Sequence, residues 1–336
     1  MRPIPAIAHR QCGVFSYAQA IGAGWSPAAL RHACRTGQLI SLRVGAFQLA
    51  DLSHLDEFEQ ARWRHAAPAI GAVLMTPGAS ASHSTSAVLR GLPLLFVPEL
   101  SCVSVVPWLT GDVVRVHVHR CTAAPMSMPV GEVACLSTER TLIDMCREHG
   151  AAAGLIPLDF ALGRRWTDAD TLRGALDRCR RWPGVRAARE AIAMADGLSE
   201  SPLESHSRFK FAQFGLPTPE LQVSIANEDG EFIGRVDFYW GGSGIVGEAD
   251  GATKYDGTDP EPLHREKQRQ DRLAETGLET FRWGWRDLQR FEIVAERFER
   301  ARGRALRRSH TDRRWRTLPR VAPHFDPAEV ADERFR

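Results

Sequence analysis

Residues 234 to 257 read GRVDFYWGGSGIVGEADGATKYDG and gather Asp237, Glu248, Asp250 and Lys254 along a stretch patterned as a β-hairpin. Hard oxygen ligands converging on one cation suit Mg²⁺, which prefers carboxylates and water. A cation so held polarises a phosphoryl oxygen and helps generate hydroxide, and a nearby lysine stabilises developing negative charge. Asp237 and Glu248 fall on adjacent strands of the hairpin, where cross-strand positions bring side chains together on one face. Glu248 and Asp250 differ by two, so a continuing strand would point both to the same side. Three acids on one face repel unless a cation or an arginine lies among them. An exposed polar hairpin with an ordinary Asp250-Gly251 turn satisfies the same spacing, so spacing alone leaves both readings open.

Other residues offer weaker chemistry. Ser201-Pro202-Leu203-Glu204 is a capping box, in which the glutamate serves its own helix, and Arg208 follows one turn later on that helix. His117 and His119 share one side of a strand in RVHVHR; two histidines are an incomplete ligand set, and a polar strand face is the favoured reading. His83, in SHSTS, reads as part of a helix entry. The chain contains no G-x-S-x-G elbow and no phosphate-binding glycine loop.

The elements that must position these groups follow from periodicity and punctuation. From Gly13 to Leu49 two short helical patterns flank Gly22 and Gly24, and an apolar alternation through Leu39, Leu42, Val44, Phe47 and Leu49 predicts two strands. Helix, turn, helix and hairpin is the layout of a winged helix. Ser26 caps its second helix with Pro27 in the first turn. A recognition helix there presents Ser26, Arg31, His32 and Arg35 to DNA, and the wing adds Arg43. Residues 51 to 66 pattern as a helix carrying Leu55, Phe58 and Trp63. Short half-buried strands follow in LSCVSVVP and VVRVHVHR, then helices from Ser137 or Thr138 and around 155–163, 168–181 and 185–196. The last module runs α, three β, α, β, α, its first helix carrying Leu203, Phe209, Phe211, Ala212 and Phe214.

Composition bounds these readings. The chain has 336 residues, 43% hydrophobic and 25% charged, enough for two or three cores. It lacks an apolar run long enough to span a membrane and an N-terminal signal-like stretch, so the expectation is a cytoplasmic protein with no membrane partner. Seven scattered cysteines without a C-x-x-C pair argue against a disulfide framework or zinc finger. Net charge is only +2, yet the first 50 residues contain no acid, and residues 300 to 320 hold nine arginines against Asp312 alone. Both ends are suited to a polyanion, although such a run is also what a solvated helix face or tail would show. The expected division is a winged helix at 1–50, a central α+β region at 51–196, a third domain at 197–301 and a basic tail at 302–336.

Two resemblances sharpen the expectations. SPLESHSRFKFAQFGLPTPELQV, GRVDFYW, GEADGATKY and HREKQRQDRLAETGLETFRWGWRDL, in that order, resemble the Vsr-like branch of the PD-(D/E)XK nuclease superfamily. GVFSYAQAIGAGWSPAALRHACRTGQLISLRVGAFQLA is similar to the winged helix of AbiEi-type antitoxins. The first resemblance implies a restriction-endonuclease-like α/β sandwich with a mixed sheet. It implies Mg²⁺ or Mn²⁺ held by Asp237, Glu248 and Glu204. Asp250 departs from that pattern by standing where a lysine is usual. Lys254, or Lys267 or Gln268 on the next helix, would then supply the missing group. The implied whole is an α/β multidomain DNA-binding protein with a metal-dependent endonuclease domain, in phage defence or a toxin–antitoxin locus. The alternative is a non-enzymatic antitoxin or repressor that keeps the nuclease fold for binding alone, with a cognate toxin protein as partner.

Overall fold

The computed structural model of the chain describes residues 4–105, 116–120, 128–251, 260–308 and 313–319. Lys254 lies outside the described residues. The chain divides into two compact units, with the break between Ala195 and Asp196.

The first unit opens with a 3-10 helix, Ala6–Gln11, then β1 (Val14–Ser16), α1 (Tyr17–Gly22), α2 (Pro27–Arg35), β2 (Leu39–Arg43) and β3 (Ala46–Leu49). The strands form an antiparallel sheet in the order β1-β3-β2. Ser16 and Gln19 make a capping box that starts α1, and Ser26 accepts the Ala29 amide at 3.2 Å to start α2. Phe15, Ala20, Trp25, Leu30, Ala33, Leu39 and Leu49 form the core of this part. β1 is too short to leave an alternation in the sequence, which is why the pattern predicts only helices there. Val44 is not an inward strand residue: it is 93% exposed at the hairpin tip, beside Gly45, whose φ of 83° suits a tight turn.

α3 (Glu57–Met75) begins later and runs further than the helix expected at 51–66. Asp56 caps it, Phe58 faces solvent, and Ala, Gly and Pro68 in its second half mask the apolar periodicity. It packs on β1, β2 and β3, and Gly71 admits Ala46, whose Cβ would lie 3.3 Å from an added methyl. Beyond it come β4 (Ser80–Ala81), α4 (His83–Leu89), β5 (Ser101–Val105) and β6 (Val116–Arg120). These strands form a sheet β4-β5-β6, with β5 and β6 parallel. β5 is buried along its whole length rather than half-buried, because α3 and α4 also pack on it. α5 (Thr138–Gly163) is kinked at Gly150, and α6 (Ala169–Arg178) and α7 (Val185–Met194) pack against it.

The second unit runs α8 (Pro202–Gln213), β7 (Glu220–Asn227), β8 (Phe232–Trp240), β9 (Ile245–Ala249), α9 (Pro260–Glu275), β10 (Glu279–Trp283), α10 (Trp285–Leu288), α11 (Glu292–Arg307) and β11 (Trp315–Thr317). Its mixed sheet has the order β10-β9-β8-β7-β11, with β10 and β9 parallel and the other pairs antiparallel. One apolar core joins the sheet to Phe211 of α8 and Phe298 of α11, and a second joins it to Leu273 of α9. The arginine-rich run is not only a tail: α11 extends to Arg307, and β11 adds an edge strand to β7. Arg304 and Arg308 both pair with the buried Glu279.

Candidate nucleic-acid interface and carboxylate site

α2 is amphipathic. Leu30 and Ala33 are buried, which leaves Arg31, His32 and Arg35 exposed on its outer side. Arg43 is half-buried at the end of β2, next to the exposed hairpin tip. Ser26 is engaged in the cap, with its hydroxyl oxygen accepting from the Ala29 amide. The fold therefore brings three of the five expected DNA-facing residues to one helix surface, puts Arg43 on the β2–β3 hairpin and gives Ser26 a local structural duty.

In the second unit, the sheet register aligns the acids. Gln222 and Asp237 fall between the cross-strand pairs Leu221–Phe238 and Val223–Val236. Asp237 and Glu248 lie one step beyond the pair Phe238–Gly247, and Glu248 pairs with Arg282 on β10. Gln222, Asp237, Glu248 and Arg282 thus form a row across four strands. Asp237 is held beside β9 by accepting the Ala249 amide at 2.9 Å. At this row the strands change face: Leu221 and Phe238 pack with α8 and α11, whereas Val223 and Val236 pack with α9. Strict alternation would keep residues two apart on one face. Gln222, at φ 52°, makes the change in β7, a conformation that a non-glycine residue rarely adopts.

Glu204 reaches this row from α8. It is 5% exposed, and its carboxylate accepts from the Glu200 amide at 3.0 Å, the Ser201 hydroxyl at 2.8 Å and the Gln222 amide group at 2.9 Å. Ser201 does cap α8 by accepting the Glu204 amide at 3.2 Å, but the Glu204 carboxylate returns to the Glu200 amide and the Ser201 hydroxyl rather than to the Ser201 amide, so the expected capping box is only half made, and Gln222 ties Glu204 to the sheet. Burial and then the charge of Asp237 push the Glu204 carboxyl up to about 7. Glu248 is also raised by burial, with Asp237 adding to the shift and Arg269 opposing it. Asp237 acts on both neighbours, which places the three acids in one electrostatic cluster.

Arg269 of α9 joins the acids without any local signal in the sequence. Its Nη1 and Nη2 donate to the two oxygens of Glu248 at 3.2 and 3.1 Å, and Nη1 also donates to the Arg235 carbonyl at 3.3 Å. Gly234 makes the approach possible, since an added Cβ would lie 2.9 Å from Arg269 Cδ. Gln268, one residue earlier, is exposed and meets His264 at 2.8 Å, so it does not join the carboxylates. Lys267 is exposed too. Asp250 does not follow Glu248 onto the same buried face, because β9 ends at Ala249; it is exposed and 3.5 Å from Arg282. Trp283 ends the edge strand β10, yet it is buried in the core and donates to Ser207 Oγ at 2.7 Å. Arg208 donates to Ser199 at 3.3 Å.

Hard carboxylate oxygens from Glu204, Asp237 and Glu248 suit a divalent cation chemically, and burial first, with the charge of Asp237 adding to it, raises Glu204 and Glu248. Arg269 already answers part of that charge at Glu248. Among the described residues, the groups whose ligand atoms all lie within 4.8 Å of one another are in the first unit and contain none of these three acids.

Residues 2–50 match the family described as "Transcriptional regulator, AbiEi antitoxin". Two curated relatives from Mycobacterium tuberculosis, the uncharacterized proteins MT2308 (strain CDC 1551 / Oshkosh) and Rv2248 (strain ATCC 25618 / H37Rv), are each 32% identical over 164 residues, 49% of this chain. The chain spans 59% of the length of each. The crystal structure of RV2827C protein from Mycobacterium tuberculosis covers 66% of this chain and 86% of its own, at 16% identity and a TM-score of 0.32. The N-terminal segment is thus similar to antitoxin-type DNA-binding regulators. Among the described residues, no helix is long and apolar enough to cross a membrane.

Proposed function

We propose that the protein is a DNA-binding transcriptional regulator of the AbiEi-antitoxin kind, reading DNA with α2 and the β2–β3 wing. The observation that carries this reading is the exposed face of Arg31, His32 and Arg35 on a capped helix within the segment matched by the regulator family. Arginines so placed donate bidentately to guanine edges or neutralise phosphates, while the wing holds the adjacent backbone. Fluorescence anisotropy with DNA from upstream of the protein's own gene tests it. Saturable, sequence-dependent binding that weakens roughly 5- to 150-fold in Arg31→Ala or Arg35→Ala supports the reading. Equal binding to unrelated DNA, untouched by either substitution, counts against it. A cognate toxin protein is the proposed second partner, tested by co-purification with the neighbouring gene product.

The row of acids favours a second reading, a metal-dependent phosphodiesterase in the second unit. Asp237, Glu248 and Glu204 would hold Mg²⁺ or Mn²⁺, and the ion when bound would polarise the phosphodiester. Arg269 would have to leave Glu248, and its guanidinium would then be available to a phosphate oxygen. Lys254 is the other cation offered for that role. Asp250 in the usual lysine position and the Arg269–Glu248 pair weigh toward binding without cleavage. Plasmid incubated with the protein and Mg²⁺ or Mn²⁺ separates the readings: nicking that Asp237→Ala abolishes supports catalysis, and intact plasmid supports a regulator alone.

A further inference from the structure

Three elements of the first unit converge on a second cluster, formed by His83 at the start of α4, His119 on β6 and Glu148 on α5. One ligand atom from each lies within 4.8 Å of the others. The His83 and His119 rings stack with centroids 3.6 Å apart and planes 16° from parallel, so one ring must turn out of the stack for both in-plane lone pairs to meet one ligand. His83 is 2% exposed and sits at φ 47°, in the left-handed region, so the backbone is bent to place this ring. His83 Nδ1 and His119 Nε2 are both buried without a hydrogen-bond partner among the described residues. Two orphaned imidazole nitrogens in one stack are costly unless a ligand takes their lone pairs.

We propose that His83, His119 and Glu148 form a binding site for a divalent transition-metal ion of the zinc class. Two imidazole nitrogens and a carboxylate are the donor set that zinc accepts, with a fourth position left for water or another ligand. Metal-binding histidines commonly have their other nitrogen oriented by a carboxylate. Here His83 Nε2 faces Asp144 Oδ2 at 3.8 Å, and Asp144 is fixed by Arg140 at 2.6 Å and by Arg147. His117 Nδ1, 3.3 Å from Glu148 Oε1, steadies the third ligand. A competing group, Cys102, His117 and His119, shares His119. Its thiol already accepts from Ser84 Oγ at 3.7 Å and His117 already meets Glu148, whereas the His83 set contains the two orphaned nitrogens. The ion would fasten β6 to α4 and α5.

The full chain, stripped by a chelator and titrated with Zn²⁺ and Co²⁺, tests the site. The expected result is one ion per chain, a tetrahedral Co²⁺ spectrum without a thiolate band, and an upward shift in melting temperature. His119→Gln abolishes binding, and Glu148→Gln, at an exposed position where the fold is easily kept, weakens it at least about tenfold. Asp237→Asn binds like wild type, which separates the site from the acids of the second unit. Circular dichroism verifies that each variant is folded. Absence of saturable binding, or unchanged affinity in folded Glu148→Gln and His119→Gln, overturns the proposal. So does a Co²⁺–thiolate band that disappears in Cys102→Ser.

Discussion

Glu204, Glu248 and Arg269 carry the residue-scale consequences of burying acids side by side. Glu204 is raised to about 7 from an ordinary 4.5, so its ionised form is disfavoured in the fold. Its contribution to stability is fully present below about 4.5 and is lost as pH rises through about 7. Chemical denaturation of wild type from pH 4 to pH 8 should therefore show a fall on the order of 3 kcal/mol from this group, set by the difference between about 4.5 and about 7 at about 1.4 kcal/mol per pH unit. Glu204→Gln should flatten that slope, and parallel slopes would defeat the assignment. Arg269→Met leaves Glu248 buried beside Asp237 without its cation. The expected cost is about 2–4 kcal/mol at pH 8, given a glutamate side chain 9% exposed and an arginine 22% exposed. Because burial already raises Glu248, the deficit should shrink as pH falls, since protonation removes the unpaired charge.

At the scale of elements, α2 and β9 make separate demands. Ser26→Ala removes the cap that holds the first turn of α2 and should lower stability by about 1 kcal/mol, with Ser26→Asp restoring it. If Ser26 serves DNA only through this cap, the aspartate variant recovers stability in urea titration. β9 depends on Gly247, where an added Cβ would lie 2.8 Å from two Trp283 ring atoms and 3.0 Å from Trp240. Gly247→Ala must displace the indole and its bond to Ser207, so unfolding should be easier by about 1–3 kcal/mol. α8 shows why apolar spacing misleads here. Of its apolar residues Leu203, Phe209, Phe211, Ala212 and Phe214, only Leu203 and Phe211 are buried, and the rest of the buried face is Glu204, Ser205 and Ser207. Leu203, Ser207 and Phe211 repeat every four residues, and Glu204 and Ser207 bond to Gln222 and Trp283 of neighbouring strands.

For the whole molecule, a net charge of +2 conceals an N-terminal segment without acids. DNA binding through it should be driven largely by counterion release, so affinity should fall steeply and log-linearly with salt. Replacing a phosphate-contacting arginine should reduce that slope by about one, whereas a base-contacting arginine should relax sequence preference instead. Anisotropy titrations across a salt series distinguish the two roles for Arg31 and Arg35. A salt-independent affinity would place recognition elsewhere in the chain.

Local rules were sufficient for the caps at Ser26, Ser137 and Ser201, for most helices, and for the α, three β, α, β, α order that opens the second unit. Each depends on residues within a turn or a strand of one another. Asp237 and Glu248 stand out as acids within strand patterns, a signal also written locally, whereas Glu204 reads locally only as a capping residue of its own helix. Their grouping depends on register and on the change of face at Gln222, and ELQVSIAN reads as plain alternation through that point. Arg269 is one cation in a polar helix until α9 docks over Gly234. His83, His119 and Glu148 are separated by 36 and 29 residues in the chain, and only the packing of α4, β6 and α5 gives them a common centre. Sequence determines short-range hydrogen bonding and amphipathic faces; long-range packing decides which charged and ligating groups meet, because burial and mutual field exist only once the elements are assembled.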